Sequence, residues 1–312
     1  METDSKQVSQ VKVIAAFAVV YIVWGSTYFF IQMAIHEIPV SIMGISRFIS
    51  AGIIMLAWSA SQKEKIFRWK EIPSAMFTGC LLLFISNGAV AWSEQYLASS
   101  LVAVFIASSP MWFVLLDYRQ WRANFSSAST LLGLLMGFAG ILFLFGDRLK
   151  DVFLSGTMTG NKWEMISFIA LTVGSVSWAA GSLYSKYRPT AFSGPANSGW
   201  QMIGAGLAFT ITSFLNHDWD RFDMHAVSSA AWWAIAYLVV MGSLLGYSSF
   251  VWLLKVRPAT QVSTHAYVNP VVAVLLGVFF ANETVTVYQV IGLGIILAGV
   301  LLVNIAKYRG TR

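Results

Sequence analysis

Ser263-Thr-His-Ala-Tyr-Val-Asn-Pro-Val-Val-Ala-Val-Leu-Leu-Gly277 is apolar enough for a membrane span, yet it carries a proline at 270. With Gln261 just before it, His265 and Asn269 form a polar stripe at i, i+4 and i+8. Such a stripe drifts only about 80° around a helix, so it is one face. The stretch has a counterpart 160 positions earlier, Ala103-Val-Phe-Ile-Ala-Ser-Ser-Pro-Met-Trp-Phe-Val-Leu115, in which Pro110 lies under Pro270, while Trp92 lies under Trp252. Self-similarity at so long a period means two copies of one unit.

Composition sets the class. The 312 residues are 57% hydrophobic and 11% charged, with mean hydropathy +0.68. A soluble domain does not need so much apolar surface, so a polytopic membrane protein is expected. The net charge of +6 comes from residues in short loops between apolar runs, which membrane topology explains without a nucleic-acid partner. The single cysteine, Cys80, excludes an internal disulfide and a thiolate metal cluster. Val11 to Ile35 is longer than a signal-peptide core and lacks a small-x-small cleavage site, so it is expected as the first span.

At about 20 residues per span, the apolar runs fall at 12–35, 39–60, 72–93, 98–116, 127–146, 164–187, 195–215, 229–254, 259–281 and 286–306. Fifteen Lys and Arg lie on one side of these runs and four on the other, with Arg47 inside a span. The bias places both termini in the cytoplasm, and an even number of spans agrees. The expected fold is all-α and integral to the membrane, with little chain left outside for a receptor or soluble catalytic domain.

The repeat extends through both halves. Trp24 matches Trp178, Arg47 matches Gln201, and Ala51-Gly52 matches Ala205-Gly206 at an offset of 154. Gly133 matches Gly292 at an offset of 159. The units, 12–146 and 164–306, hold five spans each. Five is odd, so the second enters the membrane upside down. Inverted repeats are the architecture of secondary transporters, with the site between the halves near the midplane.

Tyr21-Ile-Val-Trp-Gly-Ser-Thr-Tyr28, Ser177-Trp-Ala-Ala-Gly-Ser182, Tyr267-Val-Asn-Pro-Val-Val-Ala-Val-Leu-Leu-Gly277 and Asn282-Glu283, in this order and spacing, resemble the ten-span EamA type of the drug/metabolite transporter superfamily, and most of all its YedA-like inner-membrane branch. The resemblance covers nearly the whole chain. It implies export of small metabolites, often amino acids, from the inner membrane without ATP. One departure is visible: family members often carry an acid before span 5 as well, but the position matching Glu283 is Ala123.

The residues suggest how a solute would be held. Arg47 lies roughly 12 Å into span 2, where a charge costs at least ~2.5 kcal/mol. It is expected to face the bundle interior and to grip a carboxylate bidentately, or else to form a structural ion pair. Trp24 and Trp178, each roughly 16–18 Å into its span, would wall a central cavity, with Tyr28 a turn beyond Trp24. Asn87, Gln201, His265 and Asn269 would supply hydrogen bonds, to the solute or between helices. Glu94 could pair with Arg47 or take up a coupling proton, and His265 is the second coupling candidate. Pro110 and Pro270 are expected as matched mid-span kinks for gating. Gly133-x3-Gly137 and Gly242-x3-Gly246 permit close helix approach; spans 5 and 10 could instead join a homodimer. Glu283 would cap span 10.

No nucleotide-binding loop, metal-ligand set or catalytic triad is present, so neither a catalytic site nor a cofactor is expected. The expected function is a secondary-active exporter of amino acids or related metabolites by alternating access. The partners are a small-molecule substrate and the bilayer. An importer or facilitator of a sugar or nucleotide-like metabolite is the alternative. A membrane-embedded enzyme or scaffold is the alternative of another class.

Overall fold

The computed structural model describes residues 9–97, 102, 105–144, 162–281 and 287–309, and among them every regular element is a helix. The helices are α1 (Gln10–Ile35), α2 (Val40–Ser61), α3 (Ile72–Ser93), α4 (Ser109–Leu116), α5 (Ala128–Leu144), α6 (Lys162–Tyr187), α7 (Gly194–Leu215), α8 (Ser229–Val256), α9 (His265–Ala281) and α10 (Val287–Arg309). Five of them, α1, α2, α3, α6 and α8, are by themselves long and apolar enough to cross a membrane. Glu283 and Asn282 lie outside the described residues.

The distribution of polarity is that of a membrane protein. Large apolar side chains such as Val11, Ile22, Trp58, Leu215 and Trp233 stand exposed on the outside. Arg47, Glu94, Asn197, Gln201, His265 and Asn269 are buried inside. A lipid solvent accounts for both, because it accepts Leu and Trp but not unsatisfied polar groups.

Local signals fix the helix ends. Pro39 precedes α2, and Pro195 sits in the first turn of α7, where its missing N–H is no loss. The Ser193 and Ser228 hydroxyls cap α7 and α8 by accepting from the Ala196 and Ala231 amides, each at 3.3 Å. Glu37, in the corner between α1 and α2, ties that corner to α8. Its carboxylate accepts from the Ser228 amide at 2.6 Å and the Ser228 hydroxyl at 2.7 Å, and these donors hold it below the usual carboxylate range.

Two helices change register midway. Cys80–Ser86 within α3 and Leu238–Tyr247 within α8 are π-helical. The two segments lie at the 160-residue offset of the repeat.

Packing follows the repeat too. α2 lies on α7, and α5 lies on α10. α1 packs between α8 and α9, while α6 packs between α3 and α4. The first helix of each unit is thus enclosed by the third and fourth helices of the other.

Three expectations are corrected. Pro110 does not kink a continuous helix; a turn at 107–108 breaks the chain and Pro110 occupies the first turn of α4. Span 9 is likewise not continuous. A short helix, Ala259–Val262, ends at Ser263–Thr264, and α9 starts afresh at His265 with Pro270 inside it. The Ser263 and Thr264 hydroxyls donate to the Thr260 and Gln261 carbonyls at 3.0 and 2.7 Å, the local bonding that competes with a helix. Third, the small-residue face of spans 5 and 10 is used within the chain. A Cβ on Gly133 would stand 2.7 Å from the Gly299 carbonyl oxygen, and one on Gly137 would stand 2.6 Å from the Tyr267 ring. That face is not free to join a homodimer.

Gly133→Leu should therefore force α5 from α10 and lower stability by roughly 1–3 kcal/mol, read as an earlier thermal unfolding midpoint in detergent. Gly294→Ala, where a Cβ meets nothing within 4 Å, should leave the midpoint unchanged or slightly higher.

Candidate functional site: a central cavity walled by both units

The π segment of α8 decides the shape of the centre. Gly242 and Gly246 sit within it, and their missing side chains make room for two functional groups. A Cβ on Gly246 would stand 2.6 Å from Trp24 Nε1, and one on Gly242 would stand 3.0 Å from Arg47 Nη2. Read from sequence as a packing motif, this Gly-x3-Gly instead builds the site. The Trp24 indole N–H donates to the Gly242 carbonyl at 3.1 Å. In the other unit, Ser177 of α6 donates to the Leu81 carbonyl in the π segment of α3 at 2.8 Å. Each π turn thus presents a carbonyl to a donor on the first helix of the other unit.

Trp24 and Trp178 meet edge to face, with ring centroids 5.4 Å apart and planes at 74°. Phe250 lies 5.1 Å from Trp24 and 4.9 Å from Trp178. The His265 ring stands 4.9 Å from Trp24 and 5.4 Å from Phe250. These four rings form a continuous plug. Against it lies a cavity of about 70 Å³, room for a few water molecules.

Seven of the eight expected solute-binding residues line that cavity: Trp24, Tyr28, Arg47, Asn87, Trp178, His265 and Asn269. Gln201 is not on the wall. It is fully buried behind Tyr247, whose hydroxyl donates to Gln201 Oε1 at 2.9 Å, and Tyr247 does reach the wall. Thr27, Phe48, Ser86, Ser109, Ser243 and Tyr247 also line the cavity; sequence reading did not single them out. Ser86, Ser243 and Tyr247 belong to the π segments, whose register a regular helix would not give.

Arg47 is 5% exposed. Its Nε donates to the Ser243 hydroxyl at 3.0 Å, and its guanidinium lies 4.9 Å from the centroid of the Phe48 ring. Among the described residues no carboxylate comes within 4.0 Å of it. The expected pair with Glu94 does not form, because Arg47 is turned toward α8 while Glu94 closes the end of α3. Glu94 is 7% exposed, and both carboxyl oxygens lack a partner among the described residues.

Other polar atoms near the plug are also without partners: Trp178 Nε1, His265 Nε2 and Asn269 Oδ1. The Asn87 amide donates to the Leu82 carbonyl of its own helix at 3.3 Å. A wider crevice, about 500 Å³, runs between α2, α3, α6 and α7. Phe209 lines it and stacks on Phe48 with centroids 5.8 Å apart, so one aromatic layer separates the crevice from the central cavity.

An all-helical bundle with an apolar exterior and a polar, partly unsatisfied centre is a multi-pass membrane protein with an internal cavity. The comparisons make the class specific. The model of the EamA-like transporter family matches twice, over residues 11–146 and 165–305, and the chain belongs to that family. It is 34% identical to the uncharacterized inner membrane transporter YedA of Escherichia coli strain K12, over 94% of this chain and 90% of that protein. It is 20% identical to the uncharacterized transporter YoaV of Bacillus subtilis strain 168, over 94% of this chain and 96% of the other. A crystal structure with 14% sequence identity superimposes with a TM-score of 0.74, covering 97% of this chain and 100% of that one, and so shares the fold.

Gly246→Ala should push Trp24 off the Gly242 carbonyl and misplace the plug. Overpacking of this size costs about 1–3 kcal/mol, so folded protein should remain. Solute exchange in proteoliposomes should fall by roughly tenfold or more, since a displacement near 1 Å in a positioned site is felt strongly.

Proposed function

We propose that this chain is a secondary transporter of ten spans, in which 12–146 and 164–306 are inverted five-helix repeats. On this reading both termini are cytoplasmic, and the chain exports small carboxylate-bearing metabolites, amino acids and related compounds among them, by alternating access and without catalysis. The observation that carries it is Arg47: a buried guanidinium on the wall of the central cavity, with no carboxylate among the described residues to meet it. A permanent charge in such a place needs an anionic partner, and a solute carboxylate fits its fork.

The packing supports alternating access. The reciprocal enclosure of α1 by α8 and α9, and of α6 by α3 and α4, is what two interchangeable inverted units produce. As it stands the cavity has room for only a few water molecules, so admitting an organic solute requires it to widen. With the termini inside, the four-ring plug lies on the cytoplasmic side, because Phe250 sits between the cavity residue Tyr247 and Lys255. Latches beyond the plug reinforce that side. The Lys186 ammonium donates to the Leu254 and Arg257 carbonyls at 2.5 and 2.6 Å, and the Tyr187 hydroxyl donates to Asp117 Oδ1 at 2.6 Å. Loading from the cytoplasm then requires the Lys186 latch and the plug to open together.

For coupling we favour Glu94 over His265. Glu94 ends α3 beside the cavity residue Val90, and its two buried oxygens have no donor among the described residues. A proton is the smallest partner that could serve them. His265 is held instead among the rings of the plug.

Two variants test the reading in counterflow from proteoliposomes, with a panel of labelled amino acids, organic acids and sugars. Arg47→Gln, with the fold verified, should reduce exchange of carboxylate solutes by about tenfold to a hundredfold, the worth of a charged hydrogen-bonded pair; unchanged exchange would remove Arg47 from the site. Glu94→Gln should leave counterflow intact but abolish accumulation driven by an imposed pH gradient. Accumulation that persists in this variant would assign coupling elsewhere.

A further inference from the structure

The solute's charge can be narrowed by counting what the cavity wall offers. Arg47 brings a full positive charge, and none of the residues lining the cavity is acidic. Glu94 stands just off the wall, near enough to act electrostatically on the wall residue Tyr28. Two helices also begin there. α9 starts at His265 after the Ser263–Thr264 break, and α4 starts at Ser109 after the turn at 107–108; both first residues line the cavity. Helix starts carry partial positive charge, although here the Ala266, Tyr267 and Val268 amides of α9 and the Met111 amide of α4 already donate to backbone carbonyls and Pro110 has no N–H. Near them, Trp178 Nε1 is an indole donor with no acceptor, 7% exposed, and His265 Nε2 has no partner at 4% exposure. One orphaned acceptor, Asn269 Oδ1, stands against them.

This wall suits a carboxylate and treats an ammonium badly. A zwitterionic amino acid would bring its carboxylate to Arg47 and its ammonium into the same few ångströms. The ammonium would lose its water and find no carboxylate on the wall, only neutral hydroxyl and amide oxygens and aromatic rings. An α-hydroxy or α-oxo acid of the same skeleton avoids that cost. Its hydroxyl or carbonyl oxygen can instead accept from the Trp178 indole.

We infer that the central cavity selects small carboxylate anions, such as α-hydroxy and α-oxo acids, over the matching zwitterionic amino acids. The inference rests on reading this cavity as the solute site.

The test uses the full-length protein in detergent and three probes that share one skeleton and differ in charge: 3-phenyllactate, phenylalanine and phenethylamine. Binding is followed by thermal shift and tryptophan fluorescence, and each probe is then tried in counterflow. Phenyllactate should bind about tenfold or more tighter than phenylalanine, with no saturable binding of the amine. Arg47→Gln should erase the preference, and Arg47→Lys should keep its sign with a smaller ratio. The comparison on the unaltered chain stands alone should either variant fail to fold. Phenylalanine binding as tightly as phenyllactate, or no binding of any probe, overturns the inference. The transporter reading fails separately: phenyllactate bound with the expected preference but never exchanged would keep the anion site and sink transport, while phenylalanine bound and exchanged would do the reverse.

Discussion

A guanidinium buried in an apolar bundle, with no carboxylate beside it among the described residues, is the constraint around which the centre is arranged. Arg47 cannot be neutralised cheaply, and an isolated buried charge is among the most expensive things a fold can hold. The structure limits the cost without cancelling it. Ser243 accepts one N–H, the Phe48 ring gives a face at 4.9 Å, and the cavity keeps the remaining N–H groups near space for water. Gly242 must lack a side chain for this to fit. Stability alone would favour an apolar residue here, so the retained charge is better explained by a ligand than by the fold.

The π segments are the second half of the same arrangement. A π turn is a poor helix in isolation and is found chiefly where it serves a site. Here it aims Ser243 and Tyr247 at the cavity and offers the Gly242 carbonyl to the Trp24 indole. The matching segment in α3 presents Ser86 to the cavity and the Leu81 carbonyl to Ser177. These cross-unit bonds lock the first helix of each unit onto the third of the other at the level of the plug. Opening the plug must therefore break or slide one of them, which couples its rings to helix packing.

Much of this was legible in the sequence, for physical reasons. Tryptophan far from an interface and arginine inside a span are costly enough to need an explanation, and Trp24, Trp178 and Arg47 do meet at one cavity. Helical periodicity put His265 and Asn269 on one face, and both reach the wall. What failed to show were changes of helical register. Periodicity assumes an unbroken α-helix, so the breaks at 107–108 and Ser263–Thr264 were invisible, as were the cavity-facing Ser243 and Tyr247. Gln201 was expected to bond either a solute or a neighbouring helix, and it does the second: Tyr247 of α8 stands in front of it and donates to it. Glu94 was paired with Arg47 by depth along the helix, which says nothing of azimuth.

The near-symmetry of the scaffold makes its exceptions informative. Symmetry is kept by the two indoles, the two π turns and the reciprocal enclosure of α1 and α6. Chemistry sits where symmetry fails. Arg47 faces Gln201 across the repeat, so charge comes from one unit alone. The position matching Glu94 is Leu254, so the buried acid also belongs to the first unit. His265 and Asn269 come from the second, opposite Phe105 and Ser109 in the first. A solute held between Arg47 and the start of α9 therefore touches both units at chemically different ends. Under the proposed alternating access, one end of the solute would be released before the other. A symmetric scaffold would then give two equivalent gates, and the asymmetric wall a preferred orientation of the solute between them.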